Sequence, residues 1–129
     1  MSPLVEFMNL FAETAEKNCG LESRISLKEL PKEGGLYAEP GEGFMDSRYY
    51  DKTEIRTVPV LVMCRDRDQV KGLDQLEQIC HYFSRLKQYP SGQSFAWLDA
   101  ETAKAPSKIG RDADGCYHTS CILNCKLYY

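Results

Sequence analysis

Apolar side chains fill the run Val58-Pro59-Val60-Leu61-Val62-Met63-Cys64 without a polar interruption. Successive strand residues point to opposite faces, so a run apolar at both parities predicts a central strand covered on both sides. After the charged break Arg65-Asp66-Arg67-Asp68, Val70, Leu73, Leu76, Ile79, Cys80, Phe83 and Leu86 recur at spacings of three and four. That spacing is one stripe of an amphipathic helix, and the stripe needs a sheet to lie on. Asp68 is expected to cap this helix, its carboxylate accepting from the first free backbone N–H groups. Pro90 is expected to end it, because proline cannot continue the ladder and restricts the residue before it.

The rest of the chain falls into place around residues 53–86. Ser2 and Pro3 form a helix start, cap then first helical position, and Leu4, Phe7, Met8, Leu10, Phe11 and Ala15 carry the helix to Asn18-Cys19-Gly20. Residues 22–30 alternate, with Ile25 and Leu27 on one face, which predicts a half-buried strand. Residues 31–35 turn the chain, and Leu36-Tyr37-Ala38 is a short second strand. Residues 39–48 read as a long loop, rich in glycine but bearing Phe44 and Met45, and residues 49–56 lead into the central strand. Past the long helix, residues 94–99 are a short aromatic strand, residues 103–115 a second loop, and residues 116–129 a long terminal strand with Cys121, Leu123, Cys125 and Leu127 on one face. The expected architecture is a single α+β domain over residues 1–129. Its antiparallel or mixed sheet has four to five strands, with two main helices packed on one face.

Composition changes this picture little. A chain of 129 residues with 43% hydrophobic and 27% charged residues can bury a core without staples. A net charge of −3 with the bases scattered along the chain gives no electrostatic ground for nucleic-acid or anionic-membrane binding. No apolar run approaches the roughly 20 residues of a spanning helix, and the first residues lack the basic start of a secretory signal, so a cytoplasmic protein is expected. Of the six cysteines, Cys64, Cys80, Cys121 and Cys125 occupy positions where the patterns want small apolar groups, which favours reduced core thiols over disulfides.

Catalytic and metal-binding patterns are hard to assemble. His81 and His118 have no partner at metal-ligand spacing, and Cys121 and Cys125 lie roughly 13 Å apart along a strand. A cysteine–histidine nucleophile pair lacks any local signature. Asp112-Ala113-Asp114-Gly115 looks in passing like a calcium loop, but its twelfth position would be Leu123, and a hairpin turn explains it better. Neither Gly34-Gly35 nor the Gly41 and Gly43 pair leads into a phosphate-binding helix. No cofactor and no metal are expected. The large side chains Phe44, Met45, Tyr49, Tyr50, Tyr89, Tyr128 and Tyr129, if contiguous at the surface, would mark a protein interface.

Taken in order, the chain resembles the small tail terminator proteins of long-tailed bacteriophages, often labelled minor capsid proteins in phage and prophage genomes. The resemblance runs through the N-terminal helix, Gly35-Leu36-Tyr37, Tyr49-Tyr50-Asp51 and the strand from Arg56 to Val62. It continues through the helix bearing Leu76, Ile79 and Leu86, and Ala105-Pro106-Ser107-Lys108-Ile109-Gly110-Arg111-Asp112. It implies a non-enzymatic virion morphogenesis protein, built in the host cytoplasm and carried in the virion tail. Such a protein forms a six-membered ring that caps the tail tube, ends its polymerisation and offers the head-tail joining surface. The implied partners are other copies of the chain, the tail tube protein and a head-completion protein, with DNA passing through the lumen without specific binding and no membrane involved. Each subunit of such a ring fits one patch against a different patch on its neighbour. Candidate interface residues are Phe44, Met45, Asp46, Tyr49 and Tyr50 on one side and Ile109, Arg111 and Asp112 on the other. The alternatives are a small protein-binding adaptor and a thiol-dependent enzyme using a cysteine near His81 or His118.

Overall fold

A computed structural model describes residues 2–129; Met1, part of the expected domain span, lies outside them. Ser2 Oγ accepts from the Val5 N–H at 3.3 Å and Pro3 takes the first helical position, so α1 (Pro3–Asn18) begins where the cap chemistry places it. The remaining elements are β1 (Ile25–Ser26), β2 (Gly35–Pro40), β3 (Phe44–Arg48), β4 (Glu54–Asp66), α2 (Gln69–Ser84), β5 (Ala96–Arg111) and β6 (Tyr117–Tyr128). The fold is α+β with a mixed sheet. The strands run in the order β1-β2-β4-β6-β5, with β3 also paired to β4. Only the β1–β2 pair is parallel. The sheet has six strands rather than four to five, the two extra pieces being the two-residue β1 and the five-residue β3.

The core lies on one face. Val58, Val60, Val62 and Cys64 of β4 and Cys121, Leu123, Cys125 and Leu127 of β6 are buried beneath the helices. Phe11 of α1 stacks on Phe83 of α2 with ring centroids 4.7 Å apart. Phe7 and Phe83 both meet Trp97, at 4.9 and 5.2 Å, so the two helices share one side of the sheet. Each fully buried phenylalanine contributes about 1.5–3 kcal/mol, and each ring pair roughly 0.5–1.5 kcal/mol more. Pro59, Leu61 and Met63, on the other face of β4, stay half-buried. The central strand is therefore not covered on both sides. Its second apolar stripe meets cross-strand neighbours instead, Leu61 opposite Ile122 and Met63 opposite Tyr37.

Four expected boundaries move. The strand at 22–30 contracts to Ile25–Ser26, because Ser26 Oγ takes the Lys28 and Glu29 N–H groups into a local turn. α2 ends at Ser84, well before Pro90: Arg85 N–H turns back to Tyr82 O, and Tyr89 Oη donates to the free Phe83 carbonyl. Leu86, placed on the helix stripe by spacing, packs against the core from beyond the helix end. The loop at 39–48 contains a strand, β3, and residues 103–111 of the second expected loop belong to β5. Both are mostly exposed edge segments, so neither carries an apolar alternation, and register shifts interrupt each ladder. The aspartate–glycine hairpin turn stands at residues 112–116: Gly115, at φ +85°, donates to Asp112 O at 3.1 Å.

β2 and β3 run end to end along the same edge of β4, opposite residues 60–65 and 54–57. Pro59 sits at the gap between them. Its carbonyl accepts from Gly41 N–H at 2.6 Å, and its missing N–H faces the same gap, where no ladder partner is lost. Gly43 presses against the backbone here: a Cβ on it would lie 2.8 Å from Thr57 O.

Candidate functional site

Five candidate residues gather on the β3–β4 hairpin. Phe44 and Met45 are 60% and 53% exposed, and Tyr50, at the tip, is fully exposed. The tip is held by its backbone. Tyr49 N–H donates to Thr53 O, Lys52 adopts φ +74°, and Asp51 Oδ1 accepts from both the N–H and the hydroxyl of Thr53. Tyr49 packs edge-on against Tyr128, 5.8 Å between centroids. Asp46 is turned onto the helix-free face, where Oδ2 accepts from Thr57 Oγ1 at 2.9 Å and lies 3.9 Å from Lys126 Nζ. Phe44 and Met45 thus stand largely exposed on a supported hairpin.

On the other side of Phe44 and Met45 is a cleft of about 190 Å³ between the start of α1, the Gly41–Gly43 gap and the C-terminal Tyr129. Arg56 lines it. Its guanidinium lies 4.6 Å from the centre of the Tyr129 ring and 2.7 Å from Glu54, and its Nε is buried without a hydrogen-bond partner among the described residues. Nothing in the sequence pattern singles out Arg56 or Tyr129 for this place, since their meeting depends on the C-terminal strand closing on β4 through mutual Glu54–Tyr129 backbone bonds.

The other three candidates lie at the far corner of the sheet. Ile109, 58% exposed, and Arg111 stand on the outer strand β5, with Arg111 5.4 Å from the Tyr117 ring centre. Asp112 is engaged within the chain. Its Oδ2 meets Arg65 Nε and His118 Nε2, both at 2.8 Å, and its Oδ1 accepts from the Asp114 and Cys116 N–H groups. Arg65 also reaches Asp114 at 3.1 Å and donates to Lys32 O. The hydrogen bond with His118, the Cys116 N–H and the Arg65 guanidinium hold the Asp112 carboxyl well below the usual carboxylate range. This clasp ties the β5–β6 turn to the end of β4. The two groups of candidates are roughly 30 Å apart by strand rise, so one chain does not join them into one site.

Charge along the two outer edges is the signal that residue-type reading overlooked. Residues 39–51 hold four acids, Glu39, Glu42, Asp46 and Asp51, against the single base Arg48, a net −3. Residues 103–111 hold Lys104, Lys108 and Arg111 and no acid, a net +3. The bases are therefore not evenly scattered. A running charge sum would have found both segments.

All six cysteines are buried and free, and burial pushes the Cys19 and Cys64 thiols up to about 11, so both stay protonated at neutral pH. The Cys80 thiol is drawn down by a hydrogen bond from Cys121, which is itself raised. His81 is exposed and His118 is bound to Asp112; among the described residues neither is hydrogen-bonded to a thiol. Among the described residues no three His, Cys, Asp or Glu side chains converge as metal ligands, and no helix is long and apolar enough to cross a membrane.

A family model described as bacteriophage tail terminator protein matches residues 14–129, from the second half of α1 through every strand. The chain belongs to the bacteriophage tail terminator family. No curated protein matches it in sequence. Both the exposed hairpin and the basic edge of this terminator fall inside the matched span, as does the Asp112 clasp. Membership makes the terminator a tail morphogenesis protein and a component of the virion tail.

Proposed function

We propose that the chain closes the end of a growing phage tail as a six-membered ring. In this reading it caps the tail tube, stops tube polymerisation and presents the surface to which a head-completion protein joins. Assembly takes place in the host cytoplasm, and DNA passes through the lumen without sequence-specific contacts. The observation that carries the reading is the β3–β4 hairpin. A structured strand holds Phe44 and Met45 in solvent, and the tip of the same hairpin presents the fully exposed Tyr50, on a chain of the tail terminator family. Large apolar side chains held out on an ordered element are what a protein interface uses, while scattered ones are ordinary surface.

Replacing Phe44 and Met45 together by alanine separates assembly from folding. Both side chains are exposed, so thermal stability should change by no more than about 0.5 kcal/mol, while ring formation or arrest of tube growth is lost. The readouts are a melting curve and electron microscopy of tails made with the variant. Tails of normal length and capped ends with the double variant would contradict the reading.

A further inference from the structure

The sheet ends in two unlike edges. Among the described residues, β3 on the β4 side leaves its outer backbone edge unpaired, and on the other side β5 does the same over sixteen residues. Edges of this kind invite another strand, and proteins blunt them with lysine, proline and bulges. The distal half of β5 carries such devices, Lys104, Pro106 and Lys108 among its register shifts. These charges do more than repel. Two copies of residues 103–111, each at +3, repel when paired with each other, which disfavours a two-fold contact centred on that segment. The edge at 39–51, at −3, is the complementary surface. Among the described residues Lys104, Lys108 and Arg111 enter no ion pair, and neither does Glu42.

Strand direction agrees. β3 is antiparallel to β4, β4 to β6 and β6 to β5, so β3 is antiparallel to β5. A second copy laid beside the first, its helices on the same side, brings its β3 antiparallel to the first copy's β5. Ile109 on one edge and Phe44 and Met45 on the other supply exposed apolar surface to bury between the charges.

Resting on the ring reading above, we propose that the acidic edge at residues 39–51 docks on the basic edge at residues 103–111 of a second copy, head to tail. The contact is heterologous, so it propagates in one direction and closes only by rotation. Because the two edges sit at opposite ends of the strands, this contact inclines the strands to the ring axis.

Charge reversal tests it. Glu39→Lys with Glu42→Lys makes both edges basic, and Lys104→Glu with Lys108→Glu makes both acidic. Each variant alone should self-associate on the order of 10²-fold more weakly than the wild type, read by light scattering. An equimolar mixture of the two should restore assembly by alternating around the ring, and so should one chain carrying all four changes. Both recoveries show that the variants fold. Wild type that assembles while each reversed variant assembles equally well overturns this contact and leaves the ring reading standing. Wild type that remains monomeric at every concentration overturns the ring reading and the contact with it. Unchanged assembly of the Lys104→Glu, Lys108→Glu variant together with lost retention of double-stranded DNA assigns the basic edge to nucleic acid and overturns the proposal.

Discussion

Asp112 shows how one side chain fixes a corner of the molecule. Its two oxygens accept from Arg65, His118 and two backbone N–H groups, so the carboxylate is stabilised over the acid by everything around it. A carboxyl depressed in the folded state contributes stability that is fully present above its unfolded value of about 4 and is lost as the pH falls toward the folded value. The terminator should therefore lose stability as the pH drops below about 4, and Asp112→Asn should flatten that acid limb while lowering stability at neutral pH. Melting curves across the acid range, wild type against variant, read both effects. An acid limb unchanged in the variant would show that other carboxylates set it. The turn around Asp112 was legible in the aspartate–glycine spacing. The clasp was not, because Arg65 lies 47 residues away and meets Asp112 only through the β4–β6–β5 register.

At the scale of elements, sequence pattern was readable where an element has a buried face and unreadable where it does not. Both helices begin at their expected caps, Ser2 and Asp68, because a cap is a local bond between a side chain and the next turn. β4 and β6 are visible through Val60, Val62, Leu123 and Leu127, which must face a core. β3 and the distal half of β5 have no such obligation, and their glycines, proline and charges read as loop. The end of α2 was misplaced for a different reason. A side-chain bond from Tyr89 back to Phe83 O closes the helix before Pro90 can. The exposed interface candidates Phe44, Met45 and Tyr50 were visible by residue type alone, but the strand that holds them was not. That strand depends on Gly43, where any Cβ would be forced to within 2.8 Å of the Thr57 carbonyl. Gly43→Ala should cost about 1–3 kcal/mol and loosen β3, leaving the core intact. Hydrogen exchange should show faster exchange confined to residues 44–48 and their partners on β4, with Val60 and Leu123 still protected. Uniform loss of protection, or none, would contradict this account of the edge.

The whole molecule is asymmetric at every level that matters for assembly. One face of its sheet is packed under α1 and α2 and the other is left half-open. One outer edge carries an acidic segment at residues 39–51, the other a basic segment at residues 103–111. In the proposed ring such a plate would meet copies of itself edge to unlike edge, the heterologous contact by which a subunit with no internal symmetry closes a ring. The tail terminator family gives that geometry its setting in the virion tail, and the proposal gives the exposed hairpin a contact to make. The most direct test of the central claim is the mass of the purified chain in solution, measured by light scattering over a range of concentrations and paired with negative-stain images. The account predicts a discrete species of six subunits that appears as rings with an open centre and dissociates at high salt. A strict monomer, or a dimer that grows no further, would contradict it.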